Sequence, residues 1–361
     1  VAVEANDAQI AAVKMLPFVL NIEWIEPAAM PVAAYNYYDT TLDAGRMQVL
    51  EGQLRSLGVN DWRKAGFDGK GLRIAILDVG FDHADQVPAF DHIRSEKRLI
   101  ATRDFTSRKY SENVYYGNGH GTEVWSCIAG EIGDLQIGLA TGAEFLLAKT
   151  EKNSEKYSEE LYWLAAAEWA DKNGADIINS SLGYTAKRYF SWQMDGKTTF
   201  VTRAANIAAR KGMLVVNAAG NEGTDKWHFI AAPADADSVL SVGGIDPATG
   251  YHTSFSSYGP TADKRMKPNV SAYGHVVAAA PAGLTSTQGT SFASPLVAGF
   301  AACAWQSNRS LTNMQLFREI EKSGSLYPYF DYAHGYGVPQ AGYFVDAKPA
   351  APVPSFKVVE S

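Results

Sequence analysis

A chain of 361 residues, 46% hydrophobic and 20% charged, is long enough for one large α/β core or two domains. Its net charge of -7 argues against a nucleic-acid or anionic-membrane surface, and no apolar run is long enough to span a bilayer. The first residues lack a basic stretch followed by an apolar one, the mark of a secretory leader, and two cysteines are too few for a disulfide framework.

Residues 1–30 read as a small separate unit. Asp7 to Met15 is a short amphipathic helix with Asp7 as its cap. Phe18 to Ile25 is aromatic and β-branched, hence a strand. A helix and one strand are half of a small α+β fold and cannot bury a core alone. The other half is expected upstream of Val1, or the unit packs on the main body. Pro27 and Pro31 break the pattern. A connecting segment, 31–54, carries Tyr35, Tyr37 and Tyr38 and most of a helix from about Ala44 to Leu57.

The main domain is expected over 55–345. Leu72–Leu77 is a buried strand that ends at Asp78. Further strands are Glu144–Lys149, Ala175–Ser180, Met213–Ala219 and Ser238–Gly243. Helical patterns lie between them at about 120–130, 158–173 and 198–211. Near-continuous apolar strands alternating with helices predict a parallel sheet covered on both faces. Ligands bind such sheets outside the carboxyl ends of the strands. That rule picks out Asp78, the turn Ser180–Gly183, and Gly220–Asn221. Cys127 and Cys303 lie in apolar helical patterns and are expected as buried free thiols. Leu311–Ser323 is a surface helix, and aromatic turns follow through Gly337. The Pro/Ala-rich tail, 346–361, is expected to be extended or flexible.

Two residues stand at loop-to-helix joints. Ser291 follows Gly289-Thr290 and opens an apolar helical pattern. It is either an N-cap or a nucleophile at a helix start, where a developing oxyanion is favoured. Pro295 is expected in the tolerant first turn. His120, in Gly119-His120-Gly121-Thr122, opens another helix and is a candidate base; the other histidines lie in turns or mixed segments. Asp78 alone is a cap, a turn former or a ribose-binding acid. Together the three make chemical sense. A serine hydroxyl needs a base, and the imidazole needs a carboxylate to fix its tautomer.

In three blocks the chain resembles the subtilisin-like serine proteases. Ile74-Ala75-Ile76-Leu77-Asp78-Val79-Gly80-Phe81-Asp82 looks like the family's aspartate block. Asn118-Gly119-His120-Gly121-Thr122-Glu123-Val124 looks like its histidine block, and Gly289 to Gly299 like its serine block. Their order is the family's. Lesser stretches fit: Asn179 to Gly183, Ala218 to Gly223, Phe255 to Pro260 and Lys267 to Val270. The resemblance spans about 55–340.

It implies a three-layer subtilisin-like α/β fold with a central, mainly parallel sheet, preceded by the short α+β segment. It implies a secreted or cell-envelope serine endopeptidase acting on proteins or peptides. Ser291 would be the nucleophile, His120 the general base and acid, and Asp78 its orienting group. Asn221 would donate to the oxyanion; without the other blocks it is a turn residue before glycine. Ser181, Leu182, Gly183, Ala218 and Gly220 would line the substrate pocket; being small, they imply an open apolar one, with Glu222 near its rim to accept a basic side chain. Residues 1–30 resemble the end of a propeptide able to plug the cleft; the alternative is an extension packed on the catalytic domain.

The sequence departs from the family at Val79, where a small hydroxyl residue is frequent, at Glu123, where a second histidine is frequent, and at Tyr273, where proline is frequent. The segment Gly130–Gly142 is too short for the family's calcium loop, so no metal or other cofactor is assigned; other calcium sites stay open, with Asp82 and Asp85 as oxygen ligands or structural residues. Two other readings stand beside the protease. One is a catalytically silent or autoinhibited binding protein of the same fold. The other is a nucleotide-binding α/β protein, which lacks a Gly-rich phosphate loop after β-strand Leu72–Leu77.

Overall fold

The computed structural model describes residues 7–16, 19 and 42–345, except 108, 153–156 and 187. Apart from Val19, the strand expected at Phe18–Ile25 lies outside the described residues, as do residues 26–41 and the 346–361 tail. The helix expected at Asp7 is there, as α1 (Asp7–Lys14).

The remaining elements run in chain order as α2 (Ala44–Arg55), α3 (Val59–Ala65), β1 (Arg73–Asp78), α4 (Asp91–Ser95), β2 (Leu99–Asp104) and α5 (His120–Ala129). A small hairpin, β3 (Glu131–Ile132) and β4 (Leu135–Gln136), precedes β5 (Glu144–Lys149), α6 (Ser158–Lys172), β6 (Ile177–Ser180), α7 (Phe200–Arg210), β7 (Leu214–Ala218), β8 (Val239–Ile245) and β9 (Val270–Tyr273). A second hairpin, β10 (His275–Ala280) and β11 (Gly283–Gln288), feeds α8 (Thr290–Ser307), followed by α9 (Asn313–Lys322) and α10 (Gly342–Val345).

Seven strands form one sheet in the order β2-β5-β1-β6-β7-β8-β9, all parallel. Both faces are covered, which explains the continuous apolar runs. In β1, Ile74 and Ile76 enter one core with α5 and α8 residues such as Trp125 and Phe300. Ala75 and Leu77 point the other way, into a core with Trp163 of α6 and Val201 of α7. Each fully buried Ile or Leu side chain among them contributes about 1.5–3 kcal/mol. Cys127 and Cys303 are buried free thiols.

Helix α2 belongs to the first core through Leu50 and Leu54, and its buried Gln53 bonds the backbone of Ile137 and Val277. The order of strands reverses between β1 and β6. After β1 the chain goes to the edge strand β2, returns to β5 between β2 and β1, then crosses to start the other half at β6. A crevice opens at that reversal, at the carboxyl ends of the strands. Asp78 closes β1 and Ser180 closes β6.

Candidate active site

Asp78 and His120 are brought together by two loops that zip along one another. The Asp82 N–H donates to the Asn118 carbonyl at 3.1 Å, and the Gly121 N–H to the Gly80 carbonyl at 2.9 Å. Thr122 Oγ1 donates to the Asp82 carbonyl at 2.9 Å. A Cβ on Gly121 would lie 2.4 Å from the Gly80 oxygen, so only glycine lets α5 approach this closely. Asn118 Oδ1 accepts the His120 N–H at 2.8 Å and shapes the entry into α5.

The result is a 2.8 Å hydrogen bond between His120 Nδ1 and Asp78 Oδ1. A carboxylate only accepts, so Nδ1 carries the proton and Nε2 is left as the base in the neutral ring. Burial opposes a charge on this ring. The charge and hydrogen bond of Asp78 outweigh it, with smaller help from Glu123 and Glu151, and push the His120 pKa up to about 9. Asp78 is fully buried. Its Oδ1 also accepts the Val79 N–H at 2.8 Å. Its Oδ2 has no hydrogen-bond partner among the described residues, and Val79, standing where a hydroxyl is frequent in the resembling family, has no donor in its side chain.

Helix α8 starts at Thr290, with Gly289 as its N-cap and no capping side chain from that residue. Ser291 is therefore not the cap. The role passes to Asn221, whose Oδ1 accepts both the Thr290 N–H and Thr290 Oγ1, each at 2.9 Å. A backbone N–H needs an acceptor, so these bonds fix the amide orientation and leave Nδ2 as the outward donor. A Cβ on Gly289 would sit 3.4 Å from Asn221 Nδ2 and 3.7 Å from the Ser291 nitrogen. Two N–H donors thus flank one space beside Gly289, whose φ of 140° only glycine adopts at little cost.

Ser291 lies one residue from Phe292, whose ring centroid is 5.3 Å from that of His120. The Ser291 hydroxyl donates to the Ser181 carbonyl at 3.2 Å, and Ser181 Oγ donates to the Ser291 carbonyl at 2.7 Å. Pro295 is the sixth residue of α8, not in its first turn as the sequence suggests. A proline there deprives the Ser291 carbonyl of its intrahelical donor, and Ser181 supplies the replacement.

The stretches expected to line a pocket do meet. Ser180 is paired with Asn217 across β6 and β7, and Tyr184 bridges Ala232. Cβ atoms placed on Gly183 and Gly220 would approach the Ala231 methyl at 3.1 and 3.2 Å. Ser181, Leu182 and Ala218 are buried and Gly183 is exposed. Glu222 is buried, its Oε2 accepting the Ser257 hydroxyl at 2.9 Å.

Sequence reasoning assigned no role to Thr290 or Lys149. Lys149 pairs with Asp78 in register, and its Nζ donates to the Val79 carbonyl at 2.7 Å and sits 4.7 Å over the Tyr116 ring. It ties the loop after Asp78 to the loop before His120. A lysine ending an otherwise apolar strand was the available signal.

An α/β fold with an Asp-His pair and a helix-start serine in one crevice has the parts of a serine hydrolase. A profile of the Subtilase family matches residues 69–337. Alkaline elastase YaB of Bacillus sp. (strain YaB) is 29% identical over 331 residues, covering 89% of this chain and 79% of that protein. Subtilisin DY of Bacillus licheniformis is 30% identical over 267 residues, covering 72% and 86%. The solved structure of the MycP3 protease from the type VII (ESX-3) secretion system superposes with a TM-score of 0.68 at 20% identity, over 90% of this chain and 95% of that one. The chain belongs to the subtilase family: it is a subtilisin-like serine peptidase, a hydrolase.

Proposed function

We propose that this peptidase is an endopeptidase working through an acyl-enzyme with Ser291 as nucleophile. The Ser291 hydroxyl turns about χ1 from the Ser181 carbonyl to His120 Nε2 and attacks the peptide carbonyl, passing its proton to Nε2. His120 then protonates the departing amine, which leaves as the acyl-enzyme forms. Water then gives a proton to Nε2 and attacks the acyl carbon; His120 returns that proton to Ser291 Oγ as the ester bond breaks and the acid leaves. Asp78 holds the ring and stabilises the imidazolium. Asn221 Nδ2 and the Ser291 N–H receive the oxyanion beside Gly289. One observation carries the reading: the 2.8 Å Asp78–His120 bond in the crevice where two donors flank the Gly289 space.

The recess between Ser181–Gly183 and Ala218–Gly220, closed by Ala231, is read as a pocket for a small apolar side chain; a relative named as an elastase fits that reading. Family membership supports secretion or a place in the cell envelope, and among the described residues no helix is long and apolar enough to cross a membrane. Residues 1–30 are read as propeptide-like and able to inhibit in cis.

Intact mass after fluorophosphonate treatment tests the reading. One adduct on the parent and none on Ser291→Ala is the expected result; an adduct on both, or on neither with a chain starting near residue 31, overturns it. Loss of N-terminal mass in the parent alone would mark self-processing.

A further inference from the structure

Glu123 is the buried charged group beside the triad that the mechanism leaves idle. It lies three residues after His120 on α5, a spacing that puts two side chains on one helix face about 5–6 Å apart at Cβ. It is 3% exposed. A buried carboxyl costs several kcal/mol to ionise unless something opposite faces it, and α5 begins with a cation-forming ring.

Among the described residues the surroundings hold no competing cation. On α5 itself Glu123 meets His120 and, a turn further, Cys127. From β1 it feels the charge of Asp78, and from β11 the Thr287 hydroxyl, which lies near without closing an ordinary hydrogen bond. Helix α8, packed along α5, carries no charged side chain and only the Cys303 thiol as a titratable group. The Pro88–Phe90 turn brings none, and β10 brings His275 at its outer end. His120 is therefore the cationic partner available to an ionised Glu123.

We propose that Glu123 is a second carboxylate of this catalytic centre, a positioning residue that acts through His120: when ionised it holds the imidazolium from one turn along α5, and so sets the pH at which the enzyme switches on. The proposal rests on His120 being the base. The charges around the pair agree with it: burial lifts the Glu123 carboxyl to about 7 against the pull of His120, and Glu123 is among the groups raising His120. Above neutral pH Glu123 joins Asp78 and the weaker Glu151 in bearing on one imidazole, and Asp78 has an oxygen to spare. Two of the departures from the family pattern, Val79 and Glu123, then push one way, toward a ring that stays protonated to higher pH.

The test is the pH dependence of the fluorophosphonate labelling rate in full-length parent and Glu123→Gln. The rate needs neutral His120, so it rises with pH. The expected result is an acid limb about one pH unit lower in the variant, with the limb restored by Glu123→Asp. A limb that stays in place in an active variant overturns the proposal and leaves the triad intact. A parent that never labels overturns the triad reading, and this one with it. If Glu123→Gln does not fold, infrared difference spectra of the parent decide: a buried neutral carboxyl stretch must appear as pH falls through neutrality, and its absence overturns the proposal.

Discussion

Ser181 and Ser291 grip each other twice, each hydroxyl donating to the other's carbonyl, at 2.7 and 3.2 Å. The pair joins the end of β6 to the start of α8. Asn179 Nδ2 donates to Ser181 Oγ at 3.2 Å, and Ser294 Oγ to Asn179 Oδ1 at 2.9 Å, so the junction is a small buried polar network. It takes up the carbonyl that Pro295 leaves without a helical donor.

Replacing Ser181 by alanine leaves that carbonyl unsatisfied. The expected cost is about 1–3 kcal/mol, read as a lower midpoint in urea. Labelling of Ser291 should slow in the folded fraction, because the Ser291 backbone loses its tether. An unchanged midpoint would mean that water replaces the hydroxyl at no cost.

The capping contact of Asn221 and its proposed contact with the oxyanion are separable. Asn221→Asp keeps an oxygen for Thr290 and loses the outward N–H, so kcat should fall by about 10²–10³ with little loss of stability. Asn221→Ala should lose the same activity and also about 1 kcal/mol of helix capping. Peptide-substrate kinetics and thermal melts on both variants separate the two. Equal stability in both would refute the capping role.

Gly289→Ala places a methyl between the two donors and forces a side chain onto a φ of 140°. Strain of about 1–3 kcal/mol is expected, with a fall in kcat larger than any rise in KM. A variant with parental kcat would show that the oxyanion does not bind there.

Stability should respond to pH through Glu123. Its carboxyl is raised from 4.5 to about 7 on folding, so the folded chain holds a proton that the unfolded chain has released. Stability from this group is fully present below about 4.5 and is lost as pH rises through about 7. Glu123→Gln has no such loss. Measured by urea unfolding, the variant should gain on the parent by up to about 3 kcal/mol between pH 4.5 and 8, on top of any constant offset. A gap that does not change with pH would sink this assignment.

The strands missed in the sequence share a physical cause. β2 reads Leu-Ile-Ala-Thr-Arg-Asp and sits at the sheet edge, half exposed, so it lacks the apolar run of its buried neighbours. The β10–β11 hairpin is rich in alanine, glycine, serine and threonine; its pairing comes from packing against α2 and α5 rather than from local preference. Helix α3 is one short segment between glycines in the left-handed region, and its Trp62 matters only once Phe300 and Phe344 surround it.

What this sequence determined by itself was the parallel sheet and the places to look on it. Strands buried on both faces must be apolar throughout, and polar residues directly after them must lie at the sheet's rim; Asp78, Ser181 and Asn221 follow from that rule. His120 and Ser291 were marked by their helix starts. Only the tertiary structure decided how these groups meet. The Asp78–His120 bond spans 42 residues and the Ser181–Ser291 pair 110, and no local pattern encodes such distances. It also decided that Asn221, not Ser291, caps α8, and that Glu123 is buried near Asp78 and His120, because capping and burial belong to the neighbours that folding brings, not to the residue alone.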